Sequence, residues 1–89
     1  MKVLKKEITI NNQLGLHARP CAMIAKIAQT AVGSIWITKE NQRVEADSII
    51  DILTLACALG DCIELEADNH DDLERFNEII NLFETDFGE

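Results

Sequence analysis

The chain has 89 residues, enough for one domain and too few for two. A domain this small has a thin core, which argues against a large apolar-lined cleft and for a shallow surface site. Its net charge of −8 speaks against nucleic acid and anionic membrane as partners, since both are held by clustered Lys and Arg, and leaves a cationic protein partner open.

Lys2–Ile10 reads as a first strand, with Ile8 and Ile10 on one face and Glu7 and Thr9 on the other. Asn11-Asn12-Gln13-Leu14-Gly15 breaks the pattern as a loop. Ala18–Thr30 reads as a helix: Pro20 suits its first turn, and Cys21, Ile24, Ala25 and Ala28 have core-facing spacing. Gly33 ends that segment. Ser34–Lys39 is a second strand with Ile35 and Ile37 inward and Trp36 on the opposite face; Glu40-Asn41 then turns into a short strand over Gln42–Glu45. Asp47 or Ser48 can cap a second helix that takes in Ile49, Ile52, Leu53, Leu55 and Ala56, with Gly60 at its exit or in the following loop. Asp61–Ala67 alternates, with Ile63, Leu65 and Ala67 inward and Cys62, Glu64 and Glu66 outward. Asp68-Asn69-His70-Asp71 reads as a cap. The third helix runs from Asp71 to about Glu84, with Leu73, Phe76, Ile80 and Phe83 as its apolar stripe. Asp71, Asp72 and Glu74 in its first turn complement the helix dipole.

The order is β-α-β-β-α-β-α. Strands that alternate on one face need a single cover of helices, so the expected class is α+β, an antiparallel sheet with helices on one side and solvent on the other. There are no repeats, linkers or low-complexity tracts, and residues 1–89 read as a single domain. The longest apolar stretch, around Ile52–Leu59, is interrupted by Thr54 and falls far below the roughly 20 residues of a membrane span. Met1–Ile10 carries Lys2, Lys5 and Lys6 but no apolar core of a signal peptide. Cys21, Cys57 and Cys62 show no metal-ligand spacing and read as reduced thiols of a cytoplasmic protein.

Reactive side chains meet a physical reason for chemistry at Leu14-Gly15-Leu16-His17-Ala18-Arg19-Pro20. His17 falls at or just before the first turn of a helix, where backbone N–H groups lack intrahelical partners and, with the helix dipole, attract an anion. Arg19 adds a guanidinium fork suited to phosphate oxygens, and Gly15 lets the loop turn sharply. Imidazole has an ordinary pKa of about 6.5 and is a nucleophile near neutral pH. Phosphoryl transfer needs mainly positioning and charge stabilisation, which this junction can supply. The bland alternative is a surface histidine in a loop before a helix.

Gly15-Leu16-His17-Ala18-Arg19-Pro20 resembles the active-site motif of HPr, the histidine-containing phosphocarrier family of the bacterial phosphoenolpyruvate-dependent phosphotransferase system. Val44–Leu55 is similar to that family's regulatory-serine segment, at the expected separation, and the element order also agrees. The likeness covers nearly the whole chain. It implies an open-faced sandwich, a four-stranded antiparallel sheet covered on one face by three helices. It further implies that His17 accepts a phosphoryl group on Nδ1 from Enzyme I and passes it to a histidine of an Enzyme IIA, with no cofactor. Arg19 would balance the phosphate charge, and Ala18 and Pro20 would form the phosphate-binding helix start.

Helix spacing sets Arg19, Ala22, Met23 and Lys26 on the face beside the site, with Gln29 a turn further. Ile49, Ile50 and Leu53 on the second helix are expected to add an apolar docking patch, against the alternative of simple core packing, which is favoured for Ile52 and Leu55. Ser48 has two readings. As an N-cap it would stabilise its helix by roughly 1 kcal/mol. By the resemblance it would be a regulatory serine, modified by an HPr kinase/phosphorylase, whose phosphate blocks docking. Asp47 and Asp51 flank it where related proteins tend to carry basic or small residues, which makes the docking face more acidic than the family habit and brings in the nitrogen-related branch of the system.

Three functional classes follow. The first is a monomeric stoichiometric carrier using His17. The second is a regulatory binding protein of the same fold acting through Ser48. The third is an enzyme with His17 as nucleophile or base, for which no second base, paired carboxylates or metal cluster is in view. His70 among Asp68, Asp71 and Asp72 reads as capping and not as a metal ligand. Trp36 could mark a binding surface, though single exposed aromatics are common. Cys21 is expected to pack inward.

Overall fold

The computed structural model describes residues 3–89. Of the expected first strand, Lys2 lies outside the described residues. Strand β1 covers Leu4–Thr9, helix α1 Ala18–Ala28, β2 Ile35–Lys39, β3 Gln42–Glu45, α2 Ile49–Thr54, β4 Cys62–Ala67 and α3 Leu73–Glu84. A short 3₁₀ turn at His70–Asp72 precedes the last helix, and a left-handed turn at Asp86–Gly88 follows it. The strands form one antiparallel sheet in the order β1-β4-β2-β3. Ile8 faces Ile63, Ile37 faces Leu65 and Val44 faces Ile37 across the ladders. The fold is the four-stranded open sheet with three helices that the resemblance implied.

Because β4 is antiparallel to both of its neighbours, β1 and β2 run parallel with β4 between them. Likewise β3 and β4 run parallel with β2 between them. Helices α1 and α2 are therefore the crossovers of two interleaved split β-α-β units, and they lie side by side on one face. The alternation predicted from sequence sorts the faces. Ile8, Ile35, Ile37, Ile63, Leu65 and Ala67 are buried with Cys21, Ile24 and Ala28 of α1, Ile52 of α2, and Phe76, Ile79 and Phe83 of α3. A fully buried side chain of this size stabilises by about 1.5–3 kcal/mol, which makes this face the main source of stability.

Several local expectations are corrected. Helix α1 stops at Ala28 and not Thr30; Thr30 and Ala31 turn out through bonds to the Ile27 and Ala28 carbonyls. Helix α2 stops at Thr54, so Leu55 and Ala56 lie past it. Ala56 takes a left-handed φ of 50°, and the Lys39 ammonium satisfies the Leu55 and Ala56 carbonyls at 3.2 and 3.0 Å. Helix α3 starts at Leu73, behind a 3₁₀ turn capped by Asn69. Asp72 is fully buried and accepts the Val32 and Gly33 N–H groups at 2.8 Å each, so it ties the α1–β2 loop to the start of α3 instead of facing solvent. With the entry to α3 set this way, Leu73 is exposed and the inward stripe is Phe76, Ile79 and Phe83, with Ile80 half-buried. Trp36 is half-buried on the open face under the Arg43 guanidinium, 4.0 Å from the ring centroid, and so is not a bare exposed aromatic. No helix of the described residues is long and apolar enough to cross a membrane.

Candidate functional site

The loop from Asn11 to Leu16 delivers His17 to the start of α1. Asn12 is 4% exposed and closes this loop: its Nδ2 donates to the Gly15 carbonyl at 2.6 Å, and its own carbonyl accepts the Gly15 N–H at 3.1 Å. Gly15 has φ +63°, and a Cβ there would sit 2.4 Å from the Cys57 carbonyl oxygen. Only glycine meets both conditions. The next residue docks on the same carbonyl, Leu16 N–H donating to Cys57 at 3.0 Å, while Cys21 Sγ donates to the Leu16 carbonyl at 3.4 Å. The α2–β4 loop thus supports the site from beneath.

His17 is the N-cap of α1, in extended backbone, and its side chain makes no capping bond. Its carbonyl accepts Cys21 N–H to open the helix. Pro20 contributes no N–H, so the helix start offers fewer donors than a generic one. The N–H groups of Ala18 and Arg19 have no hydrogen-bond partner among the described residues. Ala18 and Arg19 are exposed and Pro20 is buried, so donors and dipole face solvent while the ring of Pro20 packs below. The dipole supplies about 0.3–2 kcal/mol to a bound anion, enough to tune such a site and not to create its chemistry.

The imidazole and Arg19 share a partner that sequence reasoning missed. His17 Nε2 lies 2.5 Å from Glu89 Oε2, and Arg19 Nη1 lies 3.6 Å from the same oxygen. Arg19 Nη1 also donates to the Phe87 carbonyl at 3.1 Å, and Asn12 Nδ2 donates to Glu89 Oε1 at 3.2 Å. Burial pushes the Glu89 carboxyl up, but the bonds from Asn12 and His17 and the charge of Arg19 outweigh it and hold it below the usual glutamate range. Glu89 is placed by a turn in which Asp86, Phe87 and Gly88 all have positive φ (51°, 57° and 74°). Burial of Phe87, edge-on to Phe83 at 4.9 Å between centroids, offsets that strain. No local pattern announces this contact, because it spans 72 positions of chain.

The expected docking residues fall as follows. Ala22 and Lys26 are exposed on α1, and Met23 is half-buried against the core. Gln29 is exposed, but its amide donates to the Asp47 carbonyl at 3.2 Å and so ties α1 to the start of α2. Ile52 and Leu55 are core, while Ile49, Ile50 and Leu53 are 38%, 72% and 39% exposed, which leaves them open to a partner. Leu14 and Leu59, also exposed, were not anticipated. Ser48 caps α2, its Oγ accepting Asp51 N–H at 3.3 Å. Cys21 is buried, and desolvation, with Cys57 beside it, pushes its thiol up to about 11, so it is no nucleophile at neutral pH. Among the described residues no group of His, Cys, Asp and Glu could hold a metal ion.

A family model described as the PTS HPr component phosphorylation site matches residues 4–85. The phosphocarrier protein HPr of Neisseria meningitidis serogroup A is 39% identical over 87 residues, 98% of either chain. The phosphocarrier protein NPr of Proteus mirabilis is 34% identical over 85 residues, 94% of either chain. The crystal structure of HPr-C-His from Thermoanaerobacter tengcongensis superposes with a TM-score of 0.85 at 37% identity, covering 100% of this chain and 98% of that one.

Proposed function

The chain belongs to the HPr family of the phosphotransferase system, and we propose that it is a stoichiometric carrier which takes a phosphoryl group on His17 from phosphorylated Enzyme I and hands it to an Enzyme IIA protein. The observation that supports this most is the open start of α1: a reachable imidazole beside two unpartnered N–H groups and a guanidinium. Arg19 reaches the phosphate oxygens by leaving Glu89 and Phe87, and Ala18 and Arg19 donate to them from the backbone. The carrier is not itself an enzyme, since each molecule holds one group and is restored only by the next transfer.

Docking engages Ala22, Met23 and Lys26 on α1 and Ile49, Ile50 and Leu53 on α2. The packing of α1 against α2 supports reading the two sets as one surface. Exposed Asp47 and Asp51 border the apolar patch, which favours partners with a basic rim. Relatives named HPr and NPr both support the reading and keep the sugar and nitrogen-related branches in play. The carrier acts as a monomer in the cytoplasm.

Incubation with Enzyme I, magnesium and phosphoenolpyruvate is expected to give an acid-labile, base-stable phosphate that His17→Ala lacks. Failure of labelling by a cognate Enzyme I sinks the reading. Transfer onward to purified Enzyme IIA proteins of both branches identifies the partner. Regulation through Ser48 has less support, because its hydroxyl already serves the α2 cap; labelling by ATP and an HPr kinase/phosphorylase tests it.

A further inference from the structure

The loop from Leu55 to Asp61 carries the carbonyl on which the His17 loop rests, and one ion pair holds both of its ends. Lys39 closes β2, which pairs with β4 on one side and β3 on the other, so the sheet fixes its backbone. Its ammonium donates to the Leu55 carbonyl at 3.2 Å and the Ala56 carbonyl at 3.0 Å, and pairs with Asp61 Oδ2 at 3.0 Å. Three acceptors thus meet the three donors of a lysine. Asp61 Oδ2 also accepts Ala58 N–H at 2.8 Å. Asp61 N–H donates to the Ala58 carbonyl at 3.0 Å, and the Asp61 carbonyl accepts Ile10 N–H at 2.8 Å. Between these clamps lies Cys57, whose carbonyl accepts Leu16 N–H at 3.0 Å. The fit there is close: a Cβ on Gly15 would meet the Cys57 oxygen at 2.4 Å and the Ala58 Cα at 2.9 Å. Ala56, just before Cys57, has a left-handed φ of 50°, which a residue with a Cβ keeps only where its surroundings hold it. Lys39 holds the peptide groups on both sides of it.

We propose that Lys39, with Asp61, is a positioning residue for phosphoryl transfer: it sets the place of the Cys57 carbonyl, through that carbonyl the place of Leu16, and so the place of His17 at the start of α1. This rests on the carrier reading of His17. The chain of contacts is short. Lys39 holds the Ala56 carbonyl, the next residue presents the Cys57 oxygen, that oxygen binds Leu16 N–H, and Leu16 is joined to His17. Leu16 is buried and its carbonyl accepts the Cys21 thiol, so a shift of Leu16 has no slack to absorb it and reaches the helix start. Lys39 itself touches neither the ring nor a phosphate. Phosphoryl transfer depends mainly on holding the attacking atom in line with the phosphorus, and a misplacement of about 1 Å caused far from the chemistry can cost about a hundredfold in rate. A lysine serving the surface alone would need only the Asp61 carboxylate; here two of its donors go to the backbone of the loop beneath the site.

The test uses the full chain with Lys39→Met, Lys39→Arg and, as a control, Arg43→Met. The control removes a cation that pairs with Glu66 and lies over Trp36 on the open face of the sheet. The Leu16–Cys57 hydrogen bond is read directly, as the scalar coupling between the Leu16 amide nitrogen and the Cys57 carbonyl carbon and as protection of the Leu16 amide from exchange. The wild type and Arg43→Met are expected to show both. Lys39→Met is expected to lose the coupling and to exchange the Leu16 N–H roughly tenfold faster, since local opening sets that rate. Lys39→Arg, which keeps charge and donors, is expected to retain most of both. With phosphorylated Enzyme I as donor, Lys39→Met is expected to lower kcat roughly tenfold at unchanged KM, and Lys39→Arg to recover most of the rate. Should Lys39→Met fail to fold, Asp61→Asn, which keeps an acceptor for Ala58 N–H without the charge, is expected to show the same losses in smaller measure. A retained Leu16–Cys57 coupling in the variant, an unchanged kcat, a rise in KM alone, or an equal fall of kcat in Arg43→Met each overturns the positioning role and leaves the carrier reading standing. A wild type that takes no phosphate overturns the carrier reading and this inference with it.

Discussion

Helices α1 and α2 begin in the same way and differ in what their first residue does. Both N-caps, His17 and Ser48, have extended backbone. Ser48 closes its own helix, accepting Asp51 N–H on its hydroxyl, and Asp51 adds a negative charge in the first turn. His17 turns its ring away to Glu89, no acid stands in the first turn of α1, and the Ala18 and Arg19 N–H groups stay free. Each start leaves two N–H groups without a partner among the described residues, Ala18 and Arg19 in α1 and Ile49 and Ile50 in α2; the two differ at the third position, where Pro20 has no N–H and Asp51 N–H is capped by Ser48. The two starts thus differ in the cap side chain, engaged with its own helix in α2 and turned to a distant carboxylate in α1.

Four substitutions break or sharpen this contrast. The largest effect is expected from His17→Ala, which abolishes phosphate uptake while the circular dichroism spectrum stays that of the wild type, because the side chain is not part of the core. Gly15→Ala attacks the support of the open helix start. The left-handed backbone and the Cys57 carbonyl together predict a loss of at least about 2 kcal/mol in a urea melt, with slower phosphate uptake. Ser48→Ala is the mirror experiment: it removes a cap and no chemistry, so stability falls by roughly 1 kcal/mol and phosphorylation of His17 is unchanged.

The smallest effect concerns the loop after α2. Asp61 accepts Ala58 N–H and pairs with Lys39 at 3.0 Å, and these bonds hold its carboxyl below the ordinary range. A depressed carboxyl contributes stability above its unfolded pKa and loses it as acid titrates the folded form. Stability of the wild type should therefore fall faster than that of Asp61→Asn between about pH 5 and pH 3 in melts followed by tryptophan fluorescence. Lys39 is raised by the same pairing, so its share persists until pH climbs through its elevated value.

Much of the fold was legible because the strands alternate and the helices carry apolar stripes, both local signals. Ile8, Ile35, Ile37, Ile63, Leu65 and Ala67 are inward as their spacing predicted. The errors fall where a distant group decides the outcome. Lys39, on β2, helps to end α2 two residues sooner than its apolar run suggested. Asp72 looked like a dipole partner for α3 and instead binds the loop after α1.

The site divides in the same way. His17, Arg19 and Pro20 were readable because a helix start is a local motif whose chemistry follows from residue type. The division of α2 into exposed Ile49, Ile50 and Leu53 and buried Ile52 was also expected, whereas the turning of the cap side chain away from its helix and the meeting of Glu89 with His17 were set by tertiary structure. The physical reason is chain separation. Propensity and periodicity act over a few residues, whereas the strained turn before Glu89 exists only because Phe87 is buried on Phe83. The sequence by itself determined the strand and helix periods and the place of His17 and Arg19 at a helix start; packing decided which ring nitrogen is engaged and what holds it.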